Sequence, residues 1–272
     1  MKKIIIITGH ELRHDFFKKY LAASKEIQVL KTYCEVPETS LLRKIQTEAD
    51  NDSRSRHLTM REQTERDFFE LFCSKIPDDS NSVFIPKGNI NNQELVDEIS
   101  NLNPDIIMAY GCSIIKSSLL ETFKGRFVNI HLGLSPYYRG SATNFFPFVN
   151  DEVSCVGVTF MHIDEGIDTG KIIHQIRPTI VSGDSIHQIG NRLIKEMAPV
   201  CEKIIVRFDD LEESKAIHES RIAEKVYRNK DFTEETVAVM YQKFAEGIIE
   251  NYLNNKAALD AKYPLLQNPI LD

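Results

Sequence analysis

Lys3–Thr8 reads KIIIIT and Asp105–Tyr110 reads DIIMAY. Such unbroken apolar runs suit a strand covered on both faces, where neither side can be polar. Gly9 and Gly111 close the two runs. After the first comes a helical repeat, with Leu12, Phe16 and Tyr20 recurring every four residues and Phe17 and Leu21 beside them. Ile27–Tyr33, Ser82–Pro86 and Phe127–Leu132 read as further strands, and Glu94–Leu102 as a helix. Strands alternating with helices predict an α/β protein with a mostly parallel, twisted sheet, because parallel neighbours need a crossover. Cys155–Ile163 and Lys171–Ile180 are joined by a turn too short for a crossover, so at least one is antiparallel or the second leaves the sheet. A helix capped by Asp184 or Ser185 carries Ile186, Ile189, Leu193, Met197 and Ile204 on one face, with Pro199 expected to kink it. The polar stretch 209–220, DDLEESKAIHES, marks a boundary. Beyond it Phe232–Leu253 reads as one helix with Val237, Tyr241, Phe244, Ile248 and Tyr252 on a face and Thr233 as its cap. That apolar face covers either the main domain or a second subunit of a homodimer.

Composition excludes several classes. The 272 residues are 42% hydrophobic and 27% charged, which rules out wholesale disorder. Lys and Arg number 33 against 40 Asp and Glu, a net charge of −7 that does not suit general nucleic-acid binding. No apolar run approaches the ~20 residues needed to span a bilayer. The opening MKKIIIITGH is too short for a signal sequence, so a cytoplasmic location is expected. The five cysteines, Cys34, Cys73, Cys112, Cys155 and Cys201, are at least 39 residues apart, which predicts reduced thiols rather than a cysteine-built zinc site.

Ligands of open α/β sheets bind beyond the carboxyl ends of the strands. Four such ends carry polar or glycine-bearing sequence: Thr8–His14, Tyr110–Ser113, Asn129–Gly140 and His162–Gly170. If their strands are parallel neighbours, the four line one crevice. In VNIHLGLSPYYRG, Val128–Gly140, Asn129 and His131 are two apart in a strand and share a face. An amide can donate to a developing oxyanion and an imidazole can move a proton near neutral pH. The pair alone suits equally a hydrogen bond to a neighbouring loop. HIDEGIDTGKI, His162–Ile172, brings Asp164, Glu165 and Asp168 into a glycine-bearing turn. It reads as a plain acidic hairpin turn or as a carboxylate source for His131; its order does not fit a calcium-binding EF-hand loop.

Taken together, Asn129-x-His131, then Ser135-Pro136-x-x-Arg139-Gly140, then His162-x-Asp164-x-Gly166-x-Asp168-x-Gly170 resembles the folate-dependent formyltransferase family. The likeness extends back to Pro104–Ile115 and spans roughly residues 80–205. It implies a Rossmann-like formyltransferase domain over 1–210 and a short, mainly helical extension over 211–272. It implies 10-formyltetrahydrofolate as co-substrate, a primary amine as acceptor and no metal. By the same resemblance the catalytic set is Asn129, His131 and Asp168. Asn129 donates to the oxyanion, His131 accepts or shuttles the amine proton, and Asp168 stabilises the imidazolium. The pterin is expected against Tyr110, Gly111, Cys112 and Ile114 and against Asp164, Glu165 and Gly166, with Cys112 a small packing residue.

The acceptor is narrowed by departures from family patterns. Thr8–His14 holds one glycine and a glutamate where ribonucleotide-binding members carry a Gly/Ser-rich phosphate loop. The tail after residue 210 reads as helical in an acidic chain, unlike the basic barrel domain of the tRNA-acting members. The chain opens on its first sheet strand, without the N-terminal domain of deformylating relatives. What remains is a small-molecule amine, best fitted by a nucleotide-linked amino deoxysugar; nucleic acid and membrane are not expected partners. A diphosphate needs cations, so Arg139, Arg13 and His14 are candidates, with Arg54, Arg56, His57 and Arg61 as a local basic cluster. Gly140, Ser141 and Tyr138 are further substrate candidates; Tyr137 and Tyr138 suit stacking on a base or sugar and equally core or surface packing, and Thr143 and Asn144 could meet sugar hydroxyls. The charged segment 38–67 has no assigned role.

Overall fold

The computed structural model describes residues 1–48, 52–212 and 224–271. Its first half follows the expected alternation. The elements run β1 (Lys2–Thr8), α1 (Leu12–Ala22), β2 (Ile27–Val36), α2 (Leu41–Glu48), α3 (Ser53–Lys75), β3 (Ser82–Pro86), α4 (Gln93–Leu102), β4 (Ile106–Tyr110), α5 (Ser117–Thr122) and β5 (Phe127–His131). Then come β6 (Tyr138–Gly140), α6 (Phe146–Val149), β7 (Val158–His162), β8 (Ile172–Ile176), α7 (Ile186–Val206), β9 (Lys225–Tyr227), α8 (Glu234–Ala245) and α9 (Ile248–Asp260).

Seven strands form one sheet in the order β3-β2-β1-β4-β5-β7-β8. β3, β2, β1, β4 and β5 are parallel, and β7 runs antiparallel to both β5 and β8. The expected reversal therefore falls on β7, and both strands stay in the sheet. Period-two alternation sorts β1 between the two layers: Ile4 and Ile6 pack with Phe17 and Leu21 of α1, Phe69 of α3 and Leu193 and Met197 of α7. Ile5 and Ile7 pack with Ile107 and Phe127, Val96 and Ile99 of α4 and Leu119 of α5.

Three elements depart from expectation. β2 continues past Tyr33 to Val36 because Thr32–Val36 pairs with β3. The charged segment 38–67 folds as α2 and most of α3; Asp52 caps α3 by accepting from the Ser55 N–H at 2.7 Å. The single C-terminal helix is two, broken at Gly247, whose φ of 84° favours glycine. Thr233 caps α8 and Ser185 caps α7, while α7 runs on through Pro199. Val237, Met240, Ile249 and Tyr252 are buried in the same core as α1, α3 and α7, so this chain itself covers the apolar face of α8 and α9. The expected boundary at 209–220 falls mostly on residues outside those described. Among the described residues no helix is long and apolar enough to cross a membrane.

Candidate active site

β5 carries Asn129 and His131 on the layer that holds Phe127, while Val128 and Ile130 face the α1/α7 layer. β7 is antiparallel, and its end at His162 lies level with Val128, near the start of β5. The 163–171 loop therefore leaves the sheet at the opposite end from the other three segments. The one-crevice expectation is corrected accordingly: this loop must climb back along β5 to reach the other end. Asp168 makes the return. Its Oδ2 sits 3.2 Å from His131 Nδ1, and its Oδ1 accepts from Asn129 Nδ2 at 3.3 Å. Asp168 adopts a left-handed backbone, φ 51°, unusual for a residue with a side chain. Its carboxylate also accepts the Gly140 N–H at 2.9 Å, and Ser135 Oγ donates to its carbonyl at 3.4 Å.

His131 is buried, and its Nε2 lies 3.0 Å from the Tyr138 carbonyl. A carbonyl only accepts, so Nε2 carries the hydrogen and Nδ1 is left to exchange a proton with Asp168. Burial holds the imidazole below its ordinary basicity, opposed by the Asp168 charge and by the bond to Tyr138. Gly133 is required here for close approach: a Cβ would stand 2.5 Å from His131 Nε2. The 133–135 turn is fixed from below by two buried side chains that the sequence did not single out. Thr159 Oγ accepts the Ser135 N–H at 3.0 Å and donates to the Gly133 carbonyl at 2.7 Å. Gln175 Nε2 donates to the Ser135 carbonyl at 2.7 Å.

Of the residues expected beside a pterin, Gly111 and Ile114 are exposed and Cys112 is partly exposed. Burial pushes the Cys112 thiol up to about 12, consistent with a packing residue. The Tyr110 ring is buried on the α1 side, 4.9 Å from His14 and 5.2 Å from Phe17, which leaves its backbone groups for the contact expected of this loop. Glu35, another unforeseen residue, anchors this loop by accepting the Ser113 N–H at 2.5 Å and the Gly88 N–H at 2.8 Å. Asp164, Glu165 and Gly166 are exposed; Asp164 accepts from the Gly166 N–H at 2.9 Å and from Thr169 Oγ1 at 2.6 Å. Ile114 and Ile167 stand 75% and 56% exposed on these two loops.

Several expected substrate contacts are already used inside the protein. His14 is buried against Gly9 and Gly111, bonded to Glu11 at 2.8 Å, and burial lowers it to about 4; it is neutral near pH 7 and offers no charge to a phosphate. Arg13 is tied to Glu65 at 2.6 Å and lies 3.5 Å from Glu11. Tyr138 is fully buried, its hydroxyl bonded to Glu152, and Tyr137 is buried and bonded to the Pro264 carbonyl. Thr143 Oγ1 is bonded to the Leu132 carbonyl, and Asn144 closes a pair of bonds with Gly157. Arg139 pairs with Glu224, and Ser141 is partly exposed. His57 is buried, Arg54 pairs with Asp52, and Arg56 is exposed.

Arg139 and Arg61 each keep a buried Nε without a partner among the described residues, and around Arg61 further such atoms gather. The Arg61 Nε is buried, lies 3.6 Å from Glu65 and makes no hydrogen bond among the described residues. Burial lowers His57 to about 3 and His187 to about 4, and the Arg61 charge adds to both shifts. His187 Nε2 and, one turn further along α7, Asn191 Nδ2 are also buried without a partner among the described residues. Among the described residues no group of His, Cys, Asp and Glu could hold a metal ion.

A mostly parallel α/β sheet whose strand β5 presents a carboxamide and an imidazole to a folded-back carboxylate defines a site able to stabilise an oxyanion and move a proton. The chain belongs to the formyl transferase family, whose model matches residues 6–204. It is similar to a methionyl-tRNA formyltransferase of Finegoldia magna, 28% identical over 170 residues, 60% of this chain and 54% of that one. The chain thus spans about half the length of that relative. Among solved structures it resembles a sugar N-formyltransferase from Shewanella sp FDAARGOS_354, with TM-score 0.55 and 16% identity over 85% of this chain and 78% of that one. It also resembles phosphoribosylglycinamide formyltransferase from Streptococcus pneumoniae TIGR4, with TM-score 0.52 and 19% identity over 77% and 99% of the two chains. At these identities the structural likeness concerns the fold, and the three names carry three different acceptors.

Proposed function

We propose that this chain transfers the formyl group of 10-formyltetrahydrofolate to a primary amine. The observation that carries the reading is the convergence of Asn129 and His131 on Asp168, which lies 39 and 37 residues further along the chain, at 3.3 Å and 3.2 Å. The co-substrate supplies an activated formyl carbon. The neutral amine attacks it, and negative charge grows on the formyl oxygen. Asn129 has two amide hydrogens and Asp168 takes one, which leaves the second to meet that charge. The Nδ1–Asp168 edge takes up the proton the attacking nitrogen sheds, Asp168 balances the imidazolium, and as the oxyanion collapses the formyl C–N10 bond breaks and that proton passes to N10, so tetrahydrofolate leaves neutral. No covalent intermediate on the protein is required.

The acceptor we favour is a nucleotide-linked amino deoxysugar. Support comes from the Arg61 region: among the described residues Arg61 Nε, His187 Nε2 and Asn191 Nδ2 are buried polar atoms with no partner, and such atoms are seldom left unsatisfied. Two of the three are obligate donors and the cluster includes Arg13 and Arg61, a set that suits the oxygen-rich phosphoryl and sugar end of such a substrate. The protein is to be incubated with 10-formyltetrahydrofolate alone and with nucleotide-linked 4-amino and 3-amino deoxysugars. Tetrahydrofolate and an N-formyl sugar formed only when the amine is present support the reading. Formate released without any amine identifies a hydrolase using the same three residues, and removes the transferase assignment. A thermal-shift screen of nucleotide sugars names the acceptor, since a ligand of the native state raises stability by mass action.

A further inference from the structure

We infer that β9, in the C-terminal part of the chain, is a positioning element of the catalytic dyad, acting through the short strand β6. β6 uses its two edges for different partners. One edge pairs with β9 in parallel: the Lys225 N–H donates to the Tyr137 carbonyl at 3.0 Å, and the Ser141 N–H donates to the Tyr227 carbonyl at 2.9 Å. The alternate groups point the other way. The Tyr138 carbonyl accepts from His131 Nε2 at 3.0 Å, and the Gly140 N–H donates to Asp168 at 2.9 Å. A strand alternates its hydrogen-bonding edges residue by residue, so pairing with β9 in this register turns the Tyr138 carbonyl and the Gly140 N–H toward the dyad. A slip by one residue would present the wrong groups.

The register is locked from both sides. Gly140 has φ 91°, and a Cβ there would lie 2.1 Å from the Tyr227 carbonyl oxygen. The Tyr227 ring stacks on Phe146 at 3.7 Å and 5°, and its hydroxyl accepts from Asn150 at 2.8 Å. Glu152 joins the two strands by accepting from the Tyr138 hydroxyl and from Lys225 Nζ. Lys225 and Tyr227 are therefore positioning residues. They touch neither reacting group, yet they fix the backbone donor that holds Asp168 and the acceptor that selects the His131 tautomer.

The test reads the dyad directly and does not depend on the acceptor. The ¹⁵N signals of His131 are followed in the full chain and in Lys225→Pro, which removes the N–H given to Tyr137, and in Gly140→Ala. The wild type is expected to hold its hydrogen on Nε2. Both variants are expected to lose that preference and to slow turnover of 10-formyltetrahydrofolate with a nucleotide-linked 4-amino sugar by tenfold or more. The KM for the folate is expected to stay within threefold. Val226→Thr, on an exposed side chain, serves as the control and keeps both properties. Unchanged His131 signals in a folded Lys225→Pro protein would overturn the inference. So would a wild-type His131 without the Nε2 preference, a result that needs no variant to fold. His131 signals that move in a protein that formylates no amine would leave the positioning role intact and sink the transferase reading instead.

Discussion

The β5 site and the charged cluster between α1, α3 and α7 use buried polar groups in opposite ways. At β5, main-chain atoms do most of the holding: the Tyr138 carbonyl and the Gly140 N–H flank His131 and Asp168, and Thr159 fixes the turn behind them. In the helical cluster, side chains hold each other, with the charged Arg13 and Arg61 sharing Glu65 and with neutral His14 bonded to Glu11. A site held by backbone loses little fold when one reacting side chain is removed. A cluster held by mutual charges loses stability with any one of them. The two regions should thus respond to substitution along separate axes, one kinetic and one thermodynamic.

The largest thermodynamic effect is expected at Glu65, whose side chain is 4% exposed. Glu65→Ala leaves Arg13 and Arg61 facing each other without their shared counter-charge, and removing one partner of a buried pair costs about 3–5 kcal/mol. Urea unfolding should show a loss of that size. A loss below about 1 kcal/mol would mean that water already screens the cluster, and the contrast between the regions would fail.

The matching kinetic prediction is Asn129→Ala. Loss of one oxyanion donor costs about 10²–10³ in rate in other enzymes. Turnover of 10-formyltetrahydrofolate should fall by that factor while the urea midpoint stays close to wild type. Arg61→Ala should do the reverse of Asn129→Ala within the reaction, raising the KM of the amine and leaving kcat nearly unchanged. If both variants lower kcat equally, Arg61 belongs to the chemistry and the division between the two regions is wrong.

How legible each region was in the sequence follows from the same physics. Asn129 and His131 sit two apart on one strand, so period-two geometry alone places them on a common face. The parallel sheet was equally legible, because β1 and β4 are unbroken apolar runs. The return of Asp168 was not derivable from spacing, since it depends on β7 running antiparallel and on a left-handed residue; only the family resemblance supplied it. Arg13 and His14 looked like free cations because sequence does not reveal that Glu65, 52 residues on, and Glu11 take their donors. For Tyr138 the sequence left stacking on a substrate and core packing equally open; its ring is fully buried against a chain segment more than 80 residues away, stacked 6.0 Å from Tyr227. Glu35, Thr159 and Gln175 left no signal at all, because a single buried polar residue in a strand acquires its meaning from a neighbour in space.

The smallest effect per residue comes from pH, and its sign separates the regions once more. His14, His57 and His187 are buried and lowered to about 4, 3 and 4, against an ordinary value near 6.5; burial is the main cause in each case. Above pH 6.5 neither the folded nor the unfolded chain protonates them, so they make no difference to stability there. Between pH 6.5 and about 4 the unfolded chain binds protons that the folded chain refuses, and stability falls as the pH drops. At about 1.4 kcal/mol per unit, each histidine accounts for about 2 kcal/mol between pH 6.5 and 5. Glu11 acts later: burial would raise its carboxyl, but His14 and Arg13 hold it well below the usual carboxylate range, so its contribution is lost only as the pH falls below about 4.5. Urea midpoints measured from pH 7.5 to 5 should therefore be flat at first and then decline before any carboxylate titrates. Imidazole NMR should show these three rings still neutral at pH 5. A midpoint that holds steady to pH 5, or any of the three protonating near pH 6.5, would mean that the helical cluster is hydrated and that its orphaned donors already have water for partners.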